Sequence, residues 1–106
     1  MKKLVYSPDY RERIKELKSY LNAQFGAETE NKTIKEITER LHLLPSNEHL
    51  GVSVREMFGV DTDYRYVFVA HQYVFYRIGG EHIYIINIYH EREDFMQKLF
   101  GITKTI

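Results

Sequence analysis

Apolar positions recur along this chain at two periods, and the change of period divides it. Tyr10, Ile14, Leu17, Leu21 and Phe25 follow the helical repeat and predict one buried stripe. Ser7 suits the cap of that helix, Pro8 its first position and Asp9 its positive end, while Gly26 suits its stop. A second stripe, Ile34, Ile37, Leu41 and Leu44, predicts a helix from Glu28 to Leu44 that Pro45 terminates. Two amphipathic helices joined by so short a break must run antiparallel, and each needs an apolar surface to cover. From Tyr64 onward three runs rich in Tyr, Val, Phe and Ile are cut only by Ala70-His71-Gln72 and Gly79-Gly80-Glu81. β-Branched and aromatic residues at this density mark strands, and breaks this short predict antiparallel hairpins. In the third run strict alternation sends Tyr84, Ile86 and Ile88 to one side and Ile83, Ile85 and Tyr89 to the other. Both sides are apolar, which predicts a central strand covered on both faces.

The remaining segments complete the pattern. Lys3-Leu4-Val5-Tyr6 is a short strand, and Asp94 to Phe100 forms a last helical turn stopped by Gly101. Between Ser46 and Asp63, Ser53 and Glu56 fit a capping box, with Met57 and Phe58 inside a brief helical turn closed by Gly59. Leu50, Val52 and Phe58 are expected to pin this loop to the core. The order implies an α+β fold: an N-terminal strand, an antiparallel helix hairpin, a three-stranded antiparallel meander forming a small sheet with helices on one face, and a short C-terminal helix. A length of 106 residues suits a single domain, 1–106, with one core.

Charge narrows the partners. Lys plus Arg and Asp plus Glu each number 15, so the formal net charge is zero, which argues against a strongly basic nucleic-acid binder but leaves room for a local patch. Cysteine is absent, so there are no disulfides or thiolate metal sites. The five histidines, His42, His49, His71, His82 and His90, lack ligand spacing, so no metal or other cofactor is expected. No apolar run has bilayer length and no signal-peptide segment opens the chain, which predicts a cytoplasmic protein with no membrane partner. Arg11, Arg13, Lys15 and Lys18 read as a solvated helix face, and most of the nine tyrosines as packing residues with wet hydroxyls.

The last strand ends in Tyr89-His90-Glu91-Arg92-Glu93-Asp94, which delivers ionisable groups to the rim of the sheet. This ending, followed by Phe95, and the strand Tyr73-Val74-Phe75-Tyr76-Arg77-Ile78 resemble the RelE/ParE toxin superfamily. Its members carry a similar aromatic strand and often end the last strand in His-Gly-(Arg/Lys)-x-Asp-(Tyr/Trp). The strand–helix–helix–meander order extends the resemblance over nearly the whole chain. Two positions depart from it: Gln72 stands where RelE-type nucleases tend to have Arg, and Glu91 where the family has Gly after the motif His.

The resemblance implies a growth-inhibiting toxin of a type II toxin–antitoxin pair, of the kind associated with plasmid stabilization, with a cognate antitoxin as partner. The RelE branch implies an endoribonuclease that cuts mRNA on the ribosome, and the ParE branch a non-enzymatic inhibitor of DNA gyrase. A decayed member would retain only antitoxin binding. Cleavage through the 2′-hydroxyl needs a base, an acid and positive charge on the phosphate. His90 suits acid–base work, with Arg92 on the phosphate and Glu91 as base or as the group that orients His90. Arg65, Arg77 and Tyr89 are candidate substrate contacts, although an ion pair within the fold accounts equally well for Arg77. Leu50, Val52, Met57 and Phe58, with the sheet edge, are the expected antitoxin surface.

Overall fold

The computed structural model describes residues 1–103. Strand β1 (Lys3–Tyr6) leads into helix α1 (Pro8–Phe25), and Gly26 alone separates it from helix α2 (Ala27–His42). Ser7 caps α1 as expected, its Oγ accepting from the Tyr10 amide at 3.0 Å. Gly26 has φ +91°, a backbone conformation that favours glycine, and this lets one residue end α1 and start α2. Helix α2 therefore begins one residue before the expected Glu28. It also ends two residues early: Leu44 precedes a proline, which disfavours the α conformation, and Leu44–Ser46 wind into a 3₁₀ turn.

Strands β2 (Val52–Ser53), β3 (Arg65–Val69), β4 (Gln72–Ile78) and β5 (His82–His90) join β1 in one five-stranded sheet of order β1-β5-β4-β3-β2. Helix α3 (Val54–Phe58) follows β2, and helix α4 (Phe95–Phe100) closes the described chain. The meander β3-β4-β5 is antiparallel as expected, and β5 is an interior strand, with β1 parallel to its other edge. β2 was not legible, since two residues carry no period.

The helix hairpin covers one face of the sheet. Tyr10, Ile37, Leu41 and Leu44 meet Val67, Val69, Val74, Tyr76, Ile83, Ile85 and Ile88 in the main core. On the opposite face Val54, Tyr66, Phe75, Tyr89 and Phe95 form a second cluster beneath α3 and α4. Phe25 departs from the expected stripe. It is 61 % exposed, with its ring edge-on to Tyr20.

The alternation expected for β5 fails in mid-strand. Phe75 pairs with Asn87 while the next residue, Tyr76, pairs with Ile85, so a β-bulge inserts Ile86. The extra residue reverses the parity beyond it. Ile88 joins Ile83 and Ile85 on the helix side, and Tyr89 joins Ile86 on the other. The Ser7 hydroxyl donates to the Ile86 carbonyl, and Asn87 Oδ1 accepts the Ile88 amide at 2.9 Å. Buried Asn87 thus satisfies a donor at the irregularity, as a buried polar backbone group requires.

The loop before β2 is held differently from the expectation. Leu50 and Val52 are exposed, and Phe58 is at the margin of exposure. The anchors are fully buried Val54 and the phenol of Tyr76, which donates to Glu48 O at 2.8 Å and accepts the Gly51 amide at 2.9 Å. A Cβ on Gly51 would sit 2.5 Å from Tyr66 O and 2.7 Å from the Tyr76 hydroxyl, so glycine is required for the close approach.

Candidate functional site at the rim of the last strand

The bulge delivers the end of β5 with Tyr89 turned down into the second cluster and His90 turned toward the helix side, opposite Gln72. Beyond it the chain turns sharply through residues 91–94 into α4. Asp94 caps that helix through its carboxylate and the Gln97 amide at 3.2 Å. A cleft of about 650 Å³ opens here between α1, the β3–β4 turn and this segment. Arg13, Glu16, Leu17 and Tyr20 form one wall, and His71, Gln72, His90, Glu91, Arg92 and Glu93 the other.

Glu93 ties the rim together. Its carboxylate accepts a two-pronged bond from Arg13 Nη2 at 2.7 and 2.6 Å, one from the His90 amide at 3.0 Å and one from Lys98 Nζ at 2.9 Å. Burial works to raise its pKa, but the His90 amide, Lys98 and Arg13 together hold it below the ordinary carboxylate value. Arg13 also donates from Nε to the Ile88 carbonyl at 2.6 Å and lies 4.4 Å above the Tyr89 ring centre. It is thus no solvated residue of the helix face, as its place among Arg11, Lys15 and Lys18 suggested.

Hydrogen bonds set the two histidines of the cleft oppositely. His90 Nδ1 accepts the Arg92 amide at 3.1 Å, so its neutral ring carries the proton on Nε2. Protonating Nδ1 would place two donors against each other, and moving the proton there would break this bond. His71 Nδ1 lies 2.9 Å from Glu91 Oε1, and the Glu91 amide donates to His71 O at 2.9 Å. A carboxylate on Nδ1 selects the other tautomer, with the lone pair on Nε2. Glu91 therefore orients His71, not His90. The turn carrying His71 is itself unusual, with φ +52° at Ala70 and +64° at His71, left-handed values at two residues that are not glycine.

The fold brings together His90, Glu91 and Arg92, and it separates the other expected contacts from them. Tyr89 is buried, only 4 % exposed, and supports Arg13 from below. Arg65 donates to Gly51 O at 2.6 Å at the opposite end of the sheet, where it braces the loop before β2. Arg77 pairs with Asp63 at 3.0 Å on the second face. Leu50, Val52, Met57 and Phe58 lie around β2 and α3, away from the cleft, with Phe58 packed on Tyr66 and Phe95. Sequence reasoning missed Arg13, His71 and Glu93. No signal in the sequence singled them out, since Arg13 and His71 reach the rim from distant segments. Among the described residues, no group of three or more His, Cys, Asp or Glu is placed to hold a metal ion, and no helix is long and apolar enough to cross a membrane.

The sequence model of one protein family, described as the ParE toxin of the type II toxin–antitoxin system parDE, matches residues 4–95. The chain belongs to the ParE toxin family. It is accordingly a type II toxin of the RelE/ParE superfamily. Its fold is similar to a solved structure titled as the chromosomal ParDE TA system from P. aeruginosa, with a TM-score of 0.71 and 16 % identity over 85 % of this chain and 96 % of that one. No curated protein matches the sequence. The ParE family match runs from the second residue of β1 to the first residue of α4, and so includes the whole cleft wall up to Glu93.

Proposed function

We propose that this ParE-family toxin inhibits DNA gyrase by binding it, without chemistry of its own, and that a cognate antitoxin holds it inactive. The carrying observation is the bonding of the rim. His90 spends Nδ1 on the Arg92 amide, Glu93 is neutralised by Arg13 and Lys98, and Glu91 is turned onto His71. A histidine fixed in this tautomer presents a donor, and neither accepts nor delivers a proton without losing a bond to the backbone. The family description supports the same branch.

The antitoxin reading rests on Leu50, Val52, Met57 and Phe58. All four are exposed apolar side chains beside β2, a two-residue edge strand that a partner segment can extend. Hydrogen exchange with and without antitoxin tests it: protection confined to the outer faces of α1 and α2 would place the antitoxin elsewhere.

A second reading, ribosome-associated mRNA cleavage, is favoured by His71, whose orientation by Glu91 leaves Nε2 free as a base in the cleft of His90 and Arg92. Pulse labelling after induction separates the two. Gyrase inhibition predicts that DNA synthesis falls first, that transcripts stay intact and that purified toxin blocks supercoiling. Transcript cleavage with normal supercoiling would overturn it. Normal growth despite soluble expression would leave a decayed member that retains antitoxin binding alone.

A further inference from the structure

We infer that the cleft beside His90 is a phosphodiester-binding site, which the toxin uses to grip a backbone phosphate of the DNA carried by its target. This rests on the gyrase reading for the source of the phosphate, and on the cleft itself for the chemistry.

Three features of the cleft point to an anion. The first is the His90 tautomer: the Arg92 amide on Nδ1 fixes Nε2–H as a hydrogen-bond donor. The second is Arg92, whose exposed guanidinium forms no ion pair among the described residues, although it sits between two glutamates in sequence. An arginine fork with open donors matches phosphate oxygens in geometry and charge. The third is the handling of the adjacent carboxylates. Glu93 is covered by Arg13, Lys98 and the His90 amide, and Glu91 is bonded to His71. The charge of Glu93, the residue after Arg92, is thus already matched, whereas Glu91, bonded to a neutral His71, keeps its charge. On the opposite wall Glu16 remains as an opposing carboxylate. One phosphate contact inside a chain of zero net charge gives weak affinity by itself, so the grip matters where a larger protein contact supplies the rest.

Purified full-length toxin, titrated with a short DNA duplex while the histidine ring nitrogens are followed by NMR, tests the site directly. His90 should shift while His42 and His49, outside the cleft, stay fixed. Arg92→Gln, at an exposed position and with unchanged melting, should weaken duplex binding about tenfold and lower the slope of log affinity against log salt by about one. Glu16→Gln should act oppositely and tighten binding, a result that a purely structural role for the cleft does not produce. An unmoved His90 with both DNA and single-stranded RNA overturns the site. A response to RNA but not to DNA overturns the assignment to DNA. Supercoiling inhibition is measured separately: a toxin that binds the duplex through Arg92 but leaves gyrase active removes the gyrase reading and retains the site.

Discussion

Arg13 and Glu93 stand 80 residues apart in the chain and 2.6 Å apart in the fold. Their contact fastens the first helix to the segment that follows the last strand, and so sets the width of the cleft. Both are partly buried, so the pair acts in a less screened setting than a surface ion pair. Arg13→Ala should cost about 1–3 kcal/mol, because it removes charge-assisted bonds to Glu93 and leaves the Ile88 carbonyl short of its donor. Urea unfolding at neutral pH measures it. A cost indistinguishable from zero would mean that the cleft holds its shape without the pair.

The same contact gives the acid limb of stability a specific contributor. Glu93 has a lowered pKa in the folded state, so its contribution is fully present above the unfolded carboxylate range and fades as pH falls through the folded value. Glu93→Gln should lower stability at pH 7 and flatten its decline below about pH 4.5, the ordinary carboxylate value. Parallel acid profiles for the two proteins would assign that limb to other carboxylates.

The bulge separates two neighbouring isoleucines that strict alternation would weight alike. Ile85 is fully buried in the main core, whereas Ile86 occupies the inserted position and is only partly buried. Ile85→Ala should cost about 2–5 kcal/mol, and Ile86→Ala distinctly less. Denaturant midpoints at equal slope give the comparison, and equal losses would contradict the observed register.

Tyr76→Phe keeps the ring and removes only the phenol that joins Glu48 O to the Gly51 amide. Leaving these partners unmatched should cost about 1–3 kcal/mol. Amide exchange at Gly51 should accelerate together with the loss of stability. An unchanged Gly51 would show that water replaces the phenol.

His90→Gln distinguishes the two functional readings. Glutamine retains polarity but transfers no proton at neutral pH, and the substitution spares the His90 amide that Glu93 holds. A gyrase inhibitor should remain toxic in this variant, weakened at most by one lost donor. A nuclease that relies on His90 should slow by roughly 10²–10⁴-fold.

Helix periods, caps and hairpins were legible because each is fixed by neighbours in the chain. Ser7, Pro8, Gly26 and Asp94 do locally what their chemistry suggests. The bulge was not legible, since Asn87 looks like any polar residue until its side chain is seen on the Ile88 amide. The cleft was half legible. A rim of ionisable residues is visible in His90 to Asp94, but the partners that decide its chemistry come from a helix some 80 positions earlier and from a turn about 20 earlier. Arg13 lies among charged neighbours whose side chains do face solvent, and sequence period alone cannot single it out. Tyr89 and Arg65 looked available for the same reason: exposure depends on elements that cover them from a distance.

The parallel pairing of β1 with β5, Lys3 to His82 through Tyr6 to Ile85, has a consequence for synthesis. Strand β1 waits for β5, because β5 must be out of the ribosome before β1 has an edge to join. Loop closure over such a separation is slow relative to local hairpins. The sheet therefore completes only after β5 has emerged, and a nascent chain stalled before His82 should be cut by protease throughout its helices. An interrupted message yields no finished toxin.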